Sequence, residues 1–190
     1  MDFQKYVRSL SAAVSLAVTG CSCTFFVPEK QLSTGAYDLE VPERIPMQIK
    51  VNVSNFSSIA NERFRMSFRQ NAVLFRSRDL KRWTQTPGLL LTKYLRLAFR
   101  DGEKDHPADP VKKIQLSGEV LSFCTTDKEV ELAVSYILRS KNRSVSKTVL
   151  LREKLENFSA ETFARAMSKA AGRLAHRIAE ESTLLAGGKL

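Results

Sequence analysis

The stretch that decides the fold lies at residues 129–151 and has the sequence "EVELAVSYILRSKNRSVSKTVLL". In its first half, every second residue is apolar or aromatic: Val130, Leu132, Val134, Tyr136 and Leu138. Alternation with a period of two is typical of a strand that buries one face. A polar turn at residues 141–143 separates this run from a second run at residues 145–151. Two such runs joined by a short polar turn predict a β-hairpin.

A third strand and a long helix flank this hairpin. The strand is predicted at residues 114–123, and its alternation changes parity at Val120 and Leu121, which predicts a β-bulge. The helix begins after Ser159, a typical N-cap residue. Its apolar stripe at helical spacing is Phe163, Met167, Ala170, Leu174 and Ile178. A basic stripe that we interpret as a solvated face runs beside it: Arg165, Lys169, Arg173 and Arg177.

The N-terminal half of the chain predicts three further strands and one helix. Alternation places the strands at residues 47–53, 63–69 and 72–76. Pro87 marks the start of the helix, because proline at the first helical position has no amide hydrogen to leave unbonded. The order βββαβββα predicts an α+β fold, a largely antiparallel sheet with two main helices packed on one face. We expect one domain at residues 47–183 and a C-terminal tail at residues 184–190.

The first residues have the order of a secretory signal peptide. Lys5 and Arg8 precede a short apolar segment, residues 10–18, which is followed by the small residues Thr19 and Gly20. A helix of this length spans about 13–14 Å, far less than the hydrocarbon core of about 30 Å. We therefore predict that residues 1–20 are a cleaved signal peptide. A buried N-terminal helix is the alternative.

Cys21 ends the segment "VTGC" at residues 18–21, which resembles a bacterial lipobox. The resemblance implies that Cys21 becomes the mature N-terminus and carries acyl chains, of which two already suffice for stable anchoring. Ser22 follows, and the lack of Asp at this place implies the outer membrane, on its periplasmic side. We expect residues 21–46 to be the lipidated N-terminus and a flexible tether.

Two other roles for the cysteines stay open. Cys21 and Cys23 have a spacing that a metal site can use, but the remaining donors, Cys124, His106 and His176, stand singly in the sequence. A disulfide between Cys23 and Cys124 is permitted in an oxidising compartment. His106 lies in an acidic segment that we interpret as an exposed loop. We therefore predict no metal site and no cofactor.

The positive charge of the chain favours anionic partners. It has 30 Lys and Arg residues against 20 Asp and Glu residues, a formal net charge of +10. The densest positive stretch lies at residues 63–82, where alternation places Phe64 and Phe68 in the core and a row of arginines outside. The candidate contact residues are Arg63, Arg65, Arg69, Arg76, Arg78 and Arg82. We interpret them as a contact for anionic phospholipid or an acidic partner, with a solvated face as the alternative. The export signal argues against nucleic acid.

No catalytic signature accompanies these features. The sequence lacks a Gly-x-Ser-x-Gly elbow, a His-Glu-x-x-His helix and a glycine-rich phosphate loop, and its only two histidines stand far apart. We expect a protein that is not an enzyme.

Several of these segments together resemble the ABC-type transport auxiliary lipoproteins, the lipoprotein partners of MCE-type lipid transport systems. Besides Cys21, the segments are "YDL" at residues 37–39, "RW" at 82–83, "LSGEV" at 116–120 and the Ala-rich helix at 163–178. The resemblance implies a lipid-anchored domain that docks or stabilises the periplasmic part of a transporter at the outer membrane. It also implies MCE-domain or other transporter subunits as partners, and a homo-oligomer. The alternatives are a pilotin-like or envelope-assembly lipoprotein without lipid cargo, and a binder of anionic polymers.

Overall fold

A mixed sheet frames the computed structural model, which describes residues 34–58, 64–71, 74–100 and 113–187. Within these ranges the sheet has eight strands: β1 Gly35–Tyr37, β2 Lys50–Val53, β3 Ser57–Ser58, β4 Arg65–Arg69, β5 Phe75–Trp83, β6 Lys113–Thr125, β7 Glu129–Arg139 and β8 Ser144–Lys154. The two helices of the described ranges are α1 Pro87–Ala98 and α2 Ala160–Ala186. All of these elements belong to the unit Ser33–Leu190.

The strand order is β1-β5-β4-β6-β7-β8. The long pairs β4–β5, β6–β7 and β7–β8 are antiparallel. The shorter pairs are parallel: β1 with β5, and β2, β3 and β4 in turn along the free side of β6. The predicted α+β class and the largely antiparallel sheet are confirmed.

The β6–β7–β8 meander forms as its alternation predicts. The register between β6 and β7 shifts between Val120 and Ser122, so the predicted bulge lies where the parity slips. One face of β6 and β7 is fully buried. Its side chains are Ile114, Leu116, Val120, Phe123, Val130, Leu132, Val134, Tyr136 and Leu138. Both helices contact the sheet and each other, which closes the hydrophobic core.

Helix α2 uses the predicted cap and the predicted stripe. The side chain of Ser159 accepts a hydrogen bond from the backbone N–H of Thr162 at 3.1 Å, which satisfies one of the free donors of the first turn. All members of the apolar stripe are buried, from Phe163 at the first turn to Ile178 near the end. The helix therefore covers the sheet along most of its length.

The domain begins earlier and ends later than residues 47–183. Part of the predicted tether lies in the fold, because β1 pairs with β5 and Leu39 is buried. The backbone N–H of Glu40 donates to Ser168 Oγ at 2.9 Å, and that of Ile45 to the Ala98 carbonyl at 2.9 Å. The sequence of this segment shows no hydrophobic periodicity, because single hydrogen bonds and single buried side chains hold it to the domain. At the other end, Leu185 is buried in α2, so the helix includes the first residues of the predicted tail.

The predicted signal peptide and the tether up to residue 33 lie outside the described residues. Among the helices that the structure describes, neither combines the length and the apolar character that a membrane span requires.

Candidate functional site

The predicted contact arginines that the structure describes lie on the hairpin formed by β4 and β5. Arg65 and Arg69 belong to β4, and Arg76 and Arg82 belong to β5. Arg78 pairs with Met66 through the register of the two strands. Cys21 and Arg63 lie outside the described residues.

The register divides these arginines between the two faces of the hairpin. Residues directly opposite each other in an antiparallel pair share a face. Arg65 is opposite Arg82, and its Nη1 donates to Ser77 Oγ at 3.4 Å. Arg76 is opposite Phe68. These two residues share the face of the hairpin that does not carry Arg65. The structure therefore places Arg65 opposite Arg82 in the register, and it places Arg76 on the face of Phe68.

Arg69 binds other side chains of the domain, so its guanidinium group is engaged within the fold. Its Nη2 lies 3.2 Å from Glu131 Oε1, and its guanidinium stacks over the Phe75 ring at 4.9 Å from the ring centroid. Arg152 approaches the other oxygen of Glu131 at 3.5 Å. Because Glu131 is almost completely buried, these cations compensate its charge and join β4, β7 and β8.

The predicted core position of Phe64 is wrong. Its side chain is 47% exposed, because Phe64 precedes β4 and the register shifts between Arg65 and Met66. Met66 occupies the core position instead, with 2% exposure. Phe68 is half-buried and packs edge-to-face against Phe158, with ring centroids 4.8 Å apart.

Trp83 fixes the base of the hairpin to the rest of the domain. Its ring is buried and packs edge-to-face against Phe123 of β6 at 5.1 Å and against Phe163 of α2 at 5.2 Å. Its backbone N–H donates to the Phe64 carbonyl at 2.7 Å. The hairpin is therefore anchored at this end by aromatic packing.

Ion pairs occupy most of the basic stripe of α2. Arg165 pairs with Glu161 at 2.7 Å, and Arg173 pairs with Glu153 at 2.7 Å. A polar cleft of about 420 Å³ lies beside the start of this helix. Its charged lining residues are Glu40, Lys154, Glu156, Glu161, Arg165 and Lys169. Both signs of charge line the cleft, so it has no clear preference for an anion or a cation.

Glu181 is the centre of a buried polar cluster that the sequence did not reveal. Its carboxylate accepts hydrogen bonds from Tyr136 Oη at 2.7 Å, from Lys147 Nζ at 2.8 Å and from Arg177 Nε at 3.2 Å. Burial by itself raises the pKa of Glu181, but the three hydrogen bonds outweigh it and hold the pKa below its ordinary value. Burial and the bond to Glu181 raise the pKa of Tyr136. The one available signal is the parity of Lys147, which lies on the buried row of β8 between Val145 and Val149.

Within the ranges that the structure describes, no group of three or more His, Cys, Asp or Glu side chains could hold a metal ion. His106 and Cys23 lie outside these ranges. Cys124 is buried in β6, and its Sγ lies 3.3 Å from Ser122 Oγ. The disulfide between Cys23 and Cys124 stays an alternative.

Comparison with known proteins identifies the fold. No family model and no curated protein sequence matches the chain. A crystal structure of a Xanthomonas campestris protein of the DUF330 family superposes with a TM-score of 0.64 and 16% identity, and covers 82% of this chain and 96% of its own. A crystal structure of an uncharacterized protein superposes with a TM-score of 0.65 and 13% identity, and covers 77% and 96% of the two chains. The chain therefore shares its fold, across most of its length, with the DUF330 structure.

Proposed function

We propose that this chain is a membrane-anchored lipoprotein without enzymatic activity that serves as an auxiliary component of an ABC/MCE-type lipid transport system. The observation that carries the proposal is the lipobox-like segment ending at Cys21, placed ahead of a unit that begins at Ser33. A fold shared with the DUF330 structure agrees with the resemblance to PqiC-like auxiliary lipoproteins. In this role the domain docks or stabilises the periplasmic part of the transporter at the outer membrane.

Two spaces in the part of the domain that the structure describes favour docking over the carriage of lipid. Sites for apolar ligands are concave and lined mostly by apolar side chains. The cleft of about 420 Å³ beside α2 is instead lined mainly by charged and hydroxyl side chains. The small pocket lined by Met66, Phe68 and Phe163 holds only about 10 Å³. Neither of these two spaces suits an acyl chain, which supports a role in which the surface of the domain meets the transporter.

The anchor is tested by the Cys21→Ala variant of the full chain. Replacing the acylated thiol should abolish labelling by a clickable fatty acid and release the protein from the membrane fraction. The measurement is metabolic labelling followed by membrane flotation. Cys23→Ala is the matched control and should keep both the label and the flotation. Undiminished labelling of Cys21→Ala would contradict the anchor.

The partner is tested by binding of the full chain to an MCE-domain protein across a salt series. Exposed charges are screened over about 8 Å at physiological ionic strength. Binding through the arginines of the β4–β5 hairpin should therefore weaken as the salt concentration rises. Reversal of Arg65 and Arg82 to Glu should weaken it about tenfold, since an exposed ion pair contributes up to about 1 kcal/mol. Joint reversal of the exposed Arg139 and Lys141 to Glu, at the end of β7, is the charge-matched control. Equal binding of all variants would place the contact elsewhere, and no binding of the wild type would favour the pilotin-like role.

A further inference from the structure

The tip of the β4–β5 hairpin exposes apolar side chains on both of its faces. Leu74 is 39% exposed and Phe75 is 46% exposed. Neighbouring residues of a strand point to opposite faces, so these two side chains lie on opposite sides of the ribbon. Two hydrogen bonds hold Leu74 to the residues that directly follow β4. The Gln70 N–H donates to the Leu74 carbonyl at 2.9 Å, and the Leu74 N–H donates to Asn71 Oδ1 at 2.8 Å.

The exposed position of Phe75 is built into the structure. The Arg69 guanidinium stacks over its ring, and Arg69 is held in turn by the buried carboxylate of Glu131 at 3.2 Å. Phe75 therefore cannot turn into the core without breaking a cation–π contact. Arg76 follows it and is exposed on the same face as Leu74. Each face of the tip thus combines one exposed apolar side chain with one arginine.

The chain enters the domain from the side on which this tip lies. Strand β1 runs parallel to β5, with Gly35 opposite Lys81 and Tyr37 opposite Trp83. Strand β5 runs away from the tip, so Thr34 lies on the tip side of Gly35. From Lys81 back to Phe75 the strand spans about 20 Å. The tip therefore extends beyond Thr34, on the side of Gly35 that faces away from Tyr37.

The length of that N-terminal chain limits the distance between Thr34 and an anchored membrane. Cys21 precedes Thr34 by 13 residues. A fully extended chain of this length spans at most about 43–47 Å. An acyl anchor on Cys21 thus confines the entry side of the domain to a layer of that depth, and this step rests on the proposed function.

We infer that the hairpin tip enters the headgroup region of the anionic phospholipid bilayer that holds the anchor, with Leu74 and Phe75 inserted and Arg76 bound to phosphate. A lipid interface covers both faces of a narrow ribbon at once, whereas a protein groove covers one face more readily than two. Segment 64–83 has six Lys and Arg residues against the single acid Asp79, which complements an anionic surface. Apolar and aromatic side chains beside arginines are typical of the membrane interface.

The test uses the full acylated chain reconstituted in vesicles that contain lipids with brominated acyl chains, which quench tryptophan at short range. The probe variant is Phe75→Trp, and the control is Ile137→Trp, 38% exposed and near the opposite end of the sheet. The buried Trp83 gives the same background in both. Phe75→Trp should be quenched in phosphatidylglycerol-containing vesicles and much less in pure phosphatidylcholine. Ile137→Trp should stay at the wild-type level in both.

A second substitution tests the arginine. Arg76→Gln on the Phe75→Trp background should lower the ratio of inserted to free tip about fivefold, the effect of one Lys or Arg at an anionic surface. Equal quenching of Phe75→Trp and Ile137→Trp would overturn the inference. Protection of the introduced tryptophan from an aqueous quencher without bromolipid quenching would assign the tip to a protein partner, and would also overturn it. Flotation of the same samples reports on the anchor independently, because a failed anchor leaves the protein at the bottom of the gradient.

Discussion

Leu174→Asp should unfold the domain at room temperature. Leu174 has 0% exposure and lies in the middle of the α2 stripe, against the sheet. The substitution removes a packed side chain and buries a carboxylate that has no partner there. The two effects together cost about 5 kcal/mol or more. Domains of ordinary stability have only about 5–15 kcal/mol in total.

The measurement is thermal and urea unfolding followed by circular dichroism. Leu184→Asp is the matched control, because Leu184 lies on the same helix and is 42% exposed. It should change the midpoint only slightly, through the unfavourable position of an acid near a helix C-terminus. A Leu174→Asp protein that stays soluble and melts cooperatively near the wild-type midpoint would show that α2 does not pack as described.

Glu181→Ala should destabilise the domain by about 1–3 kcal/mol, because it leaves the buried Tyr136 hydroxyl without an acceptor. Lys147 and Arg177 lose the same acceptor, but their side chains are 33% and 49% exposed and can turn to water. The expected fall in the melting temperature is roughly 2–4 °C for each kcal/mol. Glu180→Ala removes the neighbouring exposed carboxylate and should change the midpoint little. Equal effects of the two substitutions would contradict the network.

The same network should make stability depend on pH at both ends of the scale. The pKa of Glu181 is lower in the folded protein, so its contribution is present above the ordinary value of 4.5 and is lost as the pH falls through the folded value. The pKa of Tyr136 is higher in the folded protein, so its contribution is present below the ordinary value of 10.0 and is lost as the pH rises further. Glu181→Gln and Tyr136→Phe should flatten the acid and the alkaline limb respectively. An unchanged acid limb in Glu181→Gln would assign it to other carboxylates.

The elements that alternation predicts are those with long, regular partners. Strands β6, β7 and β8 and helix α2 each bury one continuous row of side chains, and a buried row is what a period in the sequence reports. The β6 bulge is predicted for the same reason, since a slip in parity is itself a pattern. Strands β1 and β3 are too short to show a period. They form because β5 and β6 provide unpaired backbone groups with which β1 and β3 can pair in parallel.

The candidate site is only partly predictable, because pairing between strands decides it. Spacing along β4 cannot show that Arg69 meets Glu131, which lies two strands away in the sheet order. Nor can it show that Phe64 falls outside the core, since that depends on the register shift beside Arg65. Glu181 gains its three donors from β7, β8 and its own helix. Such contacts come from tertiary packing, and a single strand or helix contains no record of them.

The parallel pairing of β1 with β5 also determines how the domain responds to mechanical force. A pull on the N-terminal end of β1 that is directed along the strand loads the hydrogen bonds to β5 together in shear, so they do not open one after another. Directly after β1 in the chain, Leu39 is buried and the Glu40 N–H donates a hydrogen bond to Ser168 of α2, so this segment has a second attachment to the domain. A force applied to β1 is thus distributed between the sheet and helix α2.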